Sequence, residues 1–406
     1  MHVLFVAPEF PAYQKQFVRA LKAVGARVTG IGEADPSILP GDLKGWLDGY
    51  ERVRSVCDEE AVFDAVRRCQ KRGWVDRLEA TIESHILPIA RVREAAHIPG
   101  LSVRTAILCR DKPQMKEFLR EAGIPCAQSA AIASVDDAKA FIKQHGYPVI
   151  LKPRAAAGAS GTWKAVDDES LAVALQDLRI GRGGEAAIEE YIEGHEGFHD
   201  TLSIDGEVAH EFISHYYPNV LDAMRNRWIS PQIVATNRVD APGYDELKAM
   251  GRKVIKALGI GTAATHMEWF YGPKGLKFSE IGARPPGVGQ WDSYVAGNDL
   301  DLYFEWAHAL VHGRPHSRAS RRFAAGMIAL RPDRDGRIVG YEGADAVQHH
   351  FGQWIVQAHL PPPGTPTQPI EAGYMANAWI RLRHPSYDTC REILDTIGRT
   401  LKVRAR

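Results

Sequence analysis

The chain has 406 residues, of which 45% are hydrophobic and 25% charged, and its 50 Lys and Arg residues balance its 50 Asp and Glu residues. This length predicts about two to four domains or subdomains, and the balanced charge excludes a global electrostatic attraction to nucleic acid or anionic membranes. The five cysteines lack metal-like spacing, no apolar run approaches the roughly 20 residues that span a bilayer, and the N-terminus lacks signal-peptide features, so we expect a soluble, cytoplasmic protein with reduced thiols.

The N-terminal third alternates strand-like and helix-like segments. Residues 3–7 form an apolar run typical of a buried parallel strand, residues 16–24 show helical spacing that ends at Gly25, and residues 27–31 form a second apolar run. Residues 1–32 therefore predict one βαβ unit in a parallel sheet. Pro-Glu-Phe-Pro follows the first strand in place of G-x-G-x-x-G, so we predict no NAD site there.

The middle of the chain contains two candidate functional lysines, Lys112 and Lys152. Before them, Glu83 fits either the start of a helix or a functional carboxylate. Residues 111–113 (Asp-Lys-Pro) are typical of a helix start. Lys152 ends a strand-like run and precedes the small-residue segment 154–162, in which backbone N–H groups can approach a phosphate closely. This segment is either a phosphate-binding loop or a flexible hairpin loop, and it is not a Walker A sequence.

A strand with acidic residues follows at residues 187–192. Backbone groups of such a strand can bind an adenine base, and Glu196 just beyond it can reach ribose hydroxyls. The alternative is that these acidic residues only face water. Residues 198–208 predict a hairpin with Asp205-Gly206 as its turn.

The segment 266–284 carries the pattern around which we expect the chain to be organised. Apolar runs flank Gly-Pro-Lys-Gly at 272–275, which is turn chemistry between strands. A turn of odd length would place Glu268 opposite Glu280, and one of even length would place them on opposite faces. Facing carboxylates repel unless a cation or a shared proton lies between them, and Mg²⁺ with phosphate oxygens fits that arrangement. Arg284 would then hold an anionic reacting group. The alternative is an edge hairpin with solvated glutamates.

The remaining patterns predict helices and short strands. The helices are expected at residues 245–259, 299–312 and 386–401, and the strands at 324–330, 336–341, 354–359 and 376–382.

These residues resemble the motifs of the ATP-grasp superfamily, in the order in which that family carries them. Each motif is weak alone, and the specificity lies in their order along nearly the whole chain. The resemblance implies an α/β and α+β fold. Its parts are a Rossmann-like pre-ATP-grasp domain at 1–107, an ATP-grasp domain at 108–316 with a flexible lid at about 145–190, and a small C-terminal α+β subdomain at 317–406.

The resemblance also implies a role for each residue. Lys112 and Lys152 look like the lysines that bind the ATP phosphates, and Lys152 and Arg284 like catalytic groups, Arg284 steadying the phosphorylated carboxylate. The other implied contacts are Ala157, Gly158, Ser160 and Gly161 in the loop over the phosphates, Glu189 with the backbone of Glu190 and Ile192 at the adenine, Glu196 at the ribose, and Glu268 and Glu280 at the metal.

One position departs from the family pattern. Many members have Glu-x-Asn, with the Asn as a third metal ligand, whereas this chain has Gly282 after Glu280-Ile281. The form Glu-Ile-Gly-Ala-Arg-Pro, preceded by His266-x-Glu268, is closer to the branch that resembles L-amino-acid ligases.

The resemblance implies an ATP-dependent carboxylate–amine ligase that releases ADP and forms an amide through an acyl phosphate, with amino acids as candidate substrates. The implied cofactors are ATP and Mg²⁺, with Mn²⁺ as a substitute. The expected partners are a small-molecule carboxylate and an amine, without nucleic acid or membrane, and a homodimer is the candidate assembly. The alternatives are a carboxyphosphate or formyl-phosphate enzyme similar to biotin carboxylase or purine-synthesis enzymes, and a non-catalytic ATP-binding module.

The amine must react uncharged, so a base or a desolvated pocket is needed. His199, Asp200 and His266 are candidates, each with a structural role as the alternative. Arg225 and Arg227 are either a clamp for a substrate carboxylate or surface residues on a loop.

Overall fold

The chain begins with strands and helices in alternation. In the computed structural model, which describes residues 1–154, 161–224, 226–369, 373, 375 and 377–406, these are β1 His2–Val6, α1 Lys15–Ala23, β2 Arg27–Gly32, α2 Gly41–Trp46, β3 Gly49–Arg52, α3 Glu59–Arg72, β4 Arg77–Glu79 and α4 Glu83–Ala95. The strands form a parallel sheet in the order β3-β2-β1-β4. The parallel pairing of β1 with β2 confirms the predicted βαβ unit.

The next segment builds a small antiparallel sheet with helices beside it. Its elements are α5 Val103–Leu108, α6 Lys112–Glu121, β5 Ser129–Ile132, α7 Val135–His145, β6 Val149–Pro153, β7 Trp163–Ala165, α8 Asp168–Asp177 and β8 Ala186–Glu190. The strand order is β5-β8-β6-β7. The α6 helix begins as predicted, because the Asp111 side chain accepts a hydrogen bond from the Gln114 N–H at 3.1 Å.

The rest of the chain builds a larger antiparallel sheet. Its elements are β9 His195–Ile204, β10 Glu207–Tyr217, α9 Val220–Ala223, β11 Gln232–Ala235, α10 Asp245–Leu258, β12 Ala263–Gly272, β13 Gly275–Gly282, α11 Gln290–Asn298, α12 Leu302–His312, β14 Ala324–Leu330, β15 Ile338–Glu342, α13 Ala344–Phe351, β16 Ile355–His359, β17 Ala378–His384, α14 Tyr387–Thr400 and β18 Lys402–Ala405.

Eight of these strands form one sheet in the order β13-β12-β9-β10-β11-β14-β17-β16. The predicted Asp-Gly turn joins β9 to β10, where Ile204 pairs with Glu207. The C-terminal strands β14, β17 and β16 extend the same sheet that carries the β12–β13 hairpin, and β15 pairs with β18 beside it. The domain boundaries drawn from the sequence stay predictions. Within the described residues, no helix is long and apolar enough to span a membrane.

The sequence patterns do not predict β11, α11 or α13. In α11 the buried residues share one face of the helix, but polar Gln290, Ser293 and Asn298 lie on that face together with Trp291 and Tyr294. A buried face that mixes polar and apolar residues gives little amphipathic contrast, and so the sequence lacks the usual helix signal.

The β12–β13 hairpin places Glu268 directly opposite Glu280, although its turn does not have the odd length that this pairing was expected to need. Gly272 pairs with Gly275, so the turn contains two residues, an even number that by itself would put the carboxylates on opposite faces. A β-bulge at Ser279 inserts one extra residue between the Trp269–Phe278 and Glu268–Glu280 pairs. The two glutamates therefore face each other across an even-length turn, and the expectation that such a turn would separate them is wrong because the bulge supplies the missing residue.

An aromatic cluster joins the N-terminal sheet to the helices that follow the hairpin. The Phe17 ring on α1 is buried, and its centroid lies 5.3 Å from that of Trp291 and 5.0 Å from those of Tyr303 and Trp306. Aromatic pairs at these separations add favourable edge-to-face contacts to the burial of apolar area. Phe17 therefore couples the N-terminal unit to the rest of the fold.

Replacing Phe17 with Ala should lower the free energy of unfolding by about 3–5 kcal/mol, because it leaves a cavity at this joint. Urea denaturation followed by tryptophan fluorescence measures the change. The control is Lys22→Ala on the same helix, which removes an exposed ion pair with Asp48 and should cost less than about 1 kcal/mol. Equal effects of the two substitutions would contradict the coupling role.

A hydrogen-bonded histidine pair lies at β9 and β10. His195 Nε2 is 2.9 Å from His215 Nδ1, and His215 Nε2 is 2.8 Å from the Tyr244 hydroxyl. Burial, followed by the charges of His195 and Arg391, lowers the pKa of His215 to about 3. His215 is therefore neutral in the folded chain over most of the acid range.

This pKa shift predicts acid sensitivity. The unfolded chain protonates His215 near pH 6.5 and the folded chain only near pH 3, so the stability that His215 contributes is present above pH 6.5 and is lost as the pH falls between these values. The slope is at most about 1.4 kcal/mol per pH unit for one proton. In His215→Gln, urea midpoints between pH 7 and 4 should fall less steeply than in the wild type, whereas the exposed His349→Gln should follow the wild type. A slope unchanged in His215→Gln would contradict the prediction.

Candidate active site

A cavity of about 470 Å³ lies over one face of the large sheet and extends to the small sheet. Its floor includes Glu280, Glu268 and Phe198, which are register neighbours on β13, β12 and β9. Tyr216 and Ile233 continue the floor on β10 and β11. This volume is typical of a small-molecule site. The cavity thus reaches across five adjacent strands, from a charged end to an apolar end.

The small sheet contributes a buried group of two lysines and one glutamate. Lys116 Nζ on α6 and Lys152 Nζ on β6 lie 2.7 Å and 3.0 Å from Glu189 Oε2 on β8. Burial alone would raise the pKa of Glu189, but Lys116 and Lys152 outweigh it and the pKa is lowered. The side chain of Glu189 therefore holds two lysines at the cavity wall. Glu190 and Ile192 line the same wall, and the Glu190 N–H donates to the Gln128 carbonyl.

Glu280 receives two further lysine contacts. Its Oε2 lies 3.5 Å from Lys112 Nζ and 3.6 Å from Lys152 Nζ. Burial acts to raise the pKa of Glu280, but Lys112 and Lys152 outweigh it and lower the pKa to about 2. The pKa of Lys152 is raised, because Glu189 and Glu280 outweigh its desolvation. Glu280 is therefore ionised at neutral pH and accepts hydrogen bonds or a cation only.

His266 lies beside the second carboxylate of the hairpin. Its Nδ1 is 2.7 Å from Asp200 Oδ1, and its Nε2 is 3.7 Å from Glu268 Oε1. Burial opposes the charged form, but Asp200 outweighs it and the pKa of His266 is raised to about 9. Tyr294 donates to the other oxygen of Asp200. His266 is a cation at neutral pH in this arrangement and is not free to accept a proton from an amine.

Glu196 and Arg284 complete the charged lining. Glu196 Oε2 accepts a hydrogen bond from the Val220 N–H at 2.7 Å, and burial together with the nearby Glu268 raises the pKa of Glu196 to about 8. Arg284 Nε donates to Glu83 Oε2 at 2.8 Å, and its Nη1 donates to the Pro285 carbonyl at 2.8 Å. Glu196 is thus mostly protonated at neutral pH, and Arg284 supplies a permanent positive charge.

The donors on the hairpin fit a hard divalent cation. Glu268 and Glu280 present carboxylate oxygens from paired positions of the hairpin, and Gly282 supplies no side-chain oxygen. Over the described ranges, no group of three or more His, Cys, Asp or Glu residues is placed to hold a metal ion. Two carboxylates without a third protein ligand fit Mg²⁺, which retains waters and completes its shell with phosphate oxygens.

Some predicted residues lie elsewhere. Ala157, Gly158, Ser160 and Arg225 fall outside the described residues. Gly161, at φ +69°, is not part of the cavity lining, and Arg227 pairs with Asp335 at 2.6 Å rather than facing the cavity. His199 contacts Glu211 at 3.1 Å and is likewise absent from the lining. The predicted residues that line the cavity are Lys112, Lys152, Glu189, Glu190, Ile192, Glu196, His266, Glu268, Glu280 and Arg284.

Sequence reasoning missed Lys116 and the apolar end of the cavity. Lys116 lies four residues after Lys112 on α6, so the two side chains share a helix face, and this spacing was an available signal. Phe198, Tyr216 and Ile233 meet only because β9, β10 and β11 are neighbours in the sheet, and no local pattern marks them.

The chain is similar to several known proteins. The family described as carbamoyl-phosphate synthase L chain, ATP binding domain, matches residues 111–197. A Bacillus subtilis protein named L-arginine-specific L-amino acid ligase is 29% identical over 256 residues, which are 60% of this chain and 60% of that protein. The crystal structure of an L-amino acid ligase from Bacillus licheniformis superposes with a TM-score of 0.77 at 19% identity, over 100% of this chain and 98% of that one. Residues 111–197 therefore resemble an ATP-binding domain of that family, and the whole chain has the fold of the L-amino acid ligase structure.

A further structural neighbour carries ligands. The biotin carboxylase domain of Hydrogenobacter thermophilus 2-oxoglutarate carboxylase, solved with MgADP and bicarbonate, superposes with a TM-score of 0.67 at 18% identity, over 99% of this chain and 90% of that one. At 19% and 18% identity, these two superpositions show a shared fold and carry no statement about a shared activity. The chain resembles the L-amino-acid ligase branch of the superfamily, and its match spans 60% of the length of the B. subtilis relative.

Replacing Lys116 with Met should lower the free energy of unfolding by about 1–3 kcal/mol, because buried Glu189 then keeps only Lys152 as a charged partner. Urea denaturation at pH 7 measures the loss. Lys139→Met, at an exposed position of α7, is the matched control and should change stability by less than about 0.5 kcal/mol. A Lys116→Met protein as stable as this control would show that Lys152 alone neutralises Glu189.

Proposed function

We propose that this protein is an ATP-dependent carboxylate–amine ligase that forms an amide through an acyl phosphate, with amino acids as substrates. The observation that carries the proposal is the facing pair Glu268 and Glu280 in the same cavity as Lys112, Lys152 and Arg284. Phosphoryl transfer to a carboxylate brings several negative charges together, so its catalysis depends mainly on positioning and neutralisation. The cavity contains the charges that such a reaction needs.

ATP and Mg²⁺ are the proposed cofactors. The ATP-binding family match and the MgADP bound by the biotin carboxylase neighbour support them. In the structure Lys112 and Lys152 contact Glu280. With ATP bound, these lysines would bind phosphate oxygens, and Glu268 and Glu280 would hold the metal. The metal would neutralise charge on the transferred phosphoryl group. Mn²⁺ accepts the same oxygen ligands and is proposed as a substitute.

The remaining nucleotide contacts follow from the placement of the small sheet. The base would lie at the wall formed by β8 and the residues after it, where Glu190 and Ile192 line the cavity. Glu196 is the proposed ribose ligand, since its protonated form can donate a hydrogen bond as well as accept one. Phosphates between this wall and the hairpin would interpose between Glu280 and its two lysines.

The proposed chemistry has two balanced steps. An oxygen of the substrate carboxylate bonds to the γ-phosphorus of ATP while the bond from that phosphorus to the bridging oxygen breaks, and ADP leaves. The nitrogen of the amine then bonds to the acyl carbon, the bond from that carbon to the phosphate oxygen breaks, phosphate leaves, and the proton lost by the amine passes to the departing phosphate or to solvent. Arg284 would hold the phosphorylated carboxylate through both steps.

The apolar end of the cavity supports a preference among amino acids. Phe198, Tyr216 and Ile233 form this end. A charged side chain placed against these residues would lose hydration without gaining a partner. We therefore propose amino acids with apolar side chains as the preferred substrates, and a homodimer stays a prediction.

The proposal is tested by measuring ADP and phosphate release from ATP and Mg²⁺ with amino acids presented singly and in pairs, with the amide product identified by mass spectrometry. We expect release that requires a particular pair and falls about 100-fold or more in Glu280→Gln, because the metal loses an ionised ligand. Glu246→Ala, at an exposed position of α10, is the control and should retain full activity.

Two results would contradict the ligase proposal. Release stimulated by bicarbonate or formate and by no amino acid would favour the carboxyphosphate or formyl-phosphate reaction. ATP binding without release in the presence of any acid would favour a non-catalytic ATP-binding module.

A further inference from the structure

An ion pair joins the N-terminal unit of the chain to Arg284. Glu83, the first residue of α4, accepts a hydrogen bond from Arg284 Nε at 2.8 Å, and its second oxygen lies 3.7 Å from Arg110 Nη1. The Glu83 and Arg284 side chains are 24% and 17% exposed. A charge-assisted hydrogen bond this far removed from water is stronger than a typical surface pair. Arg284 is thus bonded to a helix of the N-terminal unit, outside the sheet that carries the hairpin.

The Glu83 carboxylate occupies the space beside Gly282. A methyl group at residue 282 would lie 3.2 Å from Glu83 Oε2 and 3.5 Å from Arg284 Cγ, so a larger side chain requires the carboxylate to move. A second cavity of about 20 Å³ lies between Glu83, Arg110, Glu280 and Arg284, which is room for one water molecule. Gly282 therefore leaves room in which Glu83 reaches Arg284 without having to shift.

Glu83 is not placed as the third metal ligand that Gly282 lacks. Together with Glu268 and Glu280 it would make a group of three carboxylates, and no such group suited to a metal occurs in the described part of the chain. Its oxygens contact the two arginines instead. Glu83 thus lies where the missing ligand side chain would be, but it bonds to Arg284 and not to a metal ion.

The hydrogen bonds of Arg284 leave one edge of the guanidinium for an anion. The Nε–H is bonded to Glu83 and Nη1 donates to the Pro285 carbonyl, while Nη2 has no hydrogen-bond partner among the residues that the structure describes. Arg284 also lines the main cavity. Because a guanidinium is planar, fixing Nε and Nη1 fixes the direction of the Nη2 hydrogens as well.

We propose that Glu83 is a positioning residue that orients Arg284 toward the acyl phosphate, and that glycine is required at 282 to admit it. The proposal rests on the ligase function proposed above and adds a residue of the N-terminal unit to the active site. It predicts that loss of the Glu83 charge weakens use of the acid substrate and leaves use of ATP unchanged, because no contact of Glu83 involves the ATP-facing lysines.

Steady-state kinetics of Glu83→Gln, Arg284→Lys and the double variant test this role. In Glu83→Gln we expect the KM for the acid to rise about tenfold, with the KM for ATP within twofold of the wild type. The double variant should be no worse than Arg284→Lys alone, because Glu83 acts only through Arg284. Glu59→Gln, which breaks an exposed ion pair with Arg91 in the same unit, is the control and should behave as the wild type.

A binding measurement separates this inference from the ligase proposal. Acetyl phosphate, added to protein saturated with MgADP, should raise the Tm of the wild type, and this shift should be lost equally in Glu83→Gln, Arg284→Lys and the double variant. If the wild type shows no turnover but the shifts follow this pattern, the ligase proposal fails and the positioning role stands. Additive losses, or a Glu83→Gln protein with wild-type shift and wild-type KM, would overturn the positioning role.

The requirement for glycine is tested with Gly282→Ala. The added methyl group should raise the KM for the acid by about the same factor as Glu83→Gln. In a Glu83→Ala background, where the carboxylate is gone, Gly282→Ala should have no further effect. A Gly282→Ala protein with the wild-type KM for the acid would show that the space beside Gly282 is not needed.

Discussion

Two carboxylates held face to face are the constraint on which the active-site architecture depends. Glu268 and Glu280 are paired residues of one hairpin, and their charges repel unless cations lie nearby. Lys112 and Lys152 provide these cations from two separate elements, at 3.5 Å and 3.6 Å from Glu280. Their attraction keeps Glu280 ionised in a buried place, with a pKa of about 2. The Lys152–Glu280 contact also links the small sheet to the large one.

Several parts of the chain converge on this hairpin, and each contributes one kind of group. The small sheet and α6 bring lysines and the buried Glu189, the large sheet brings the carboxylates and an apolar floor, and the N-terminal unit brings Glu83 to Arg284. The aromatic cluster around Phe17 is a second contact between the N-terminal unit and the rest of the chain. The geometry of the site therefore depends on how these units pack together. A substitution that weakens the packing between two units should also displace the side chains of the site.

The surroundings of Gly282 in the structure give a physical reason for its departure from the family pattern. In the sequence it is only the loss of a metal ligand. In the structure the same position is crowded by Glu83, whose carboxylate lies 3.2 Å from where a methyl group would stand. On the proposed assignment, the metal would have two carboxylate ligands from the chain, with phosphate oxygens and water completing its shell, while Glu83 bonds to Arg284.

The sequence by itself determined the parts of this protein that depend on local patterns. Apolar runs and helix-stop residues predicted the βαβ unit and the Asp205-Gly206 hairpin, and the order of the charged motifs predicted the resemblance to ATP-grasp proteins and ten residues that line the cavity. Only the tertiary structure decided which residues meet across elements. The bulge at Ser279 set the register of the facing glutamates, Lys116 and Glu83 became partners of Glu189 and Arg284, and the apolar end formed from three adjacent strands. Such contacts join residues far apart in the chain, and no periodicity within a single segment encodes them.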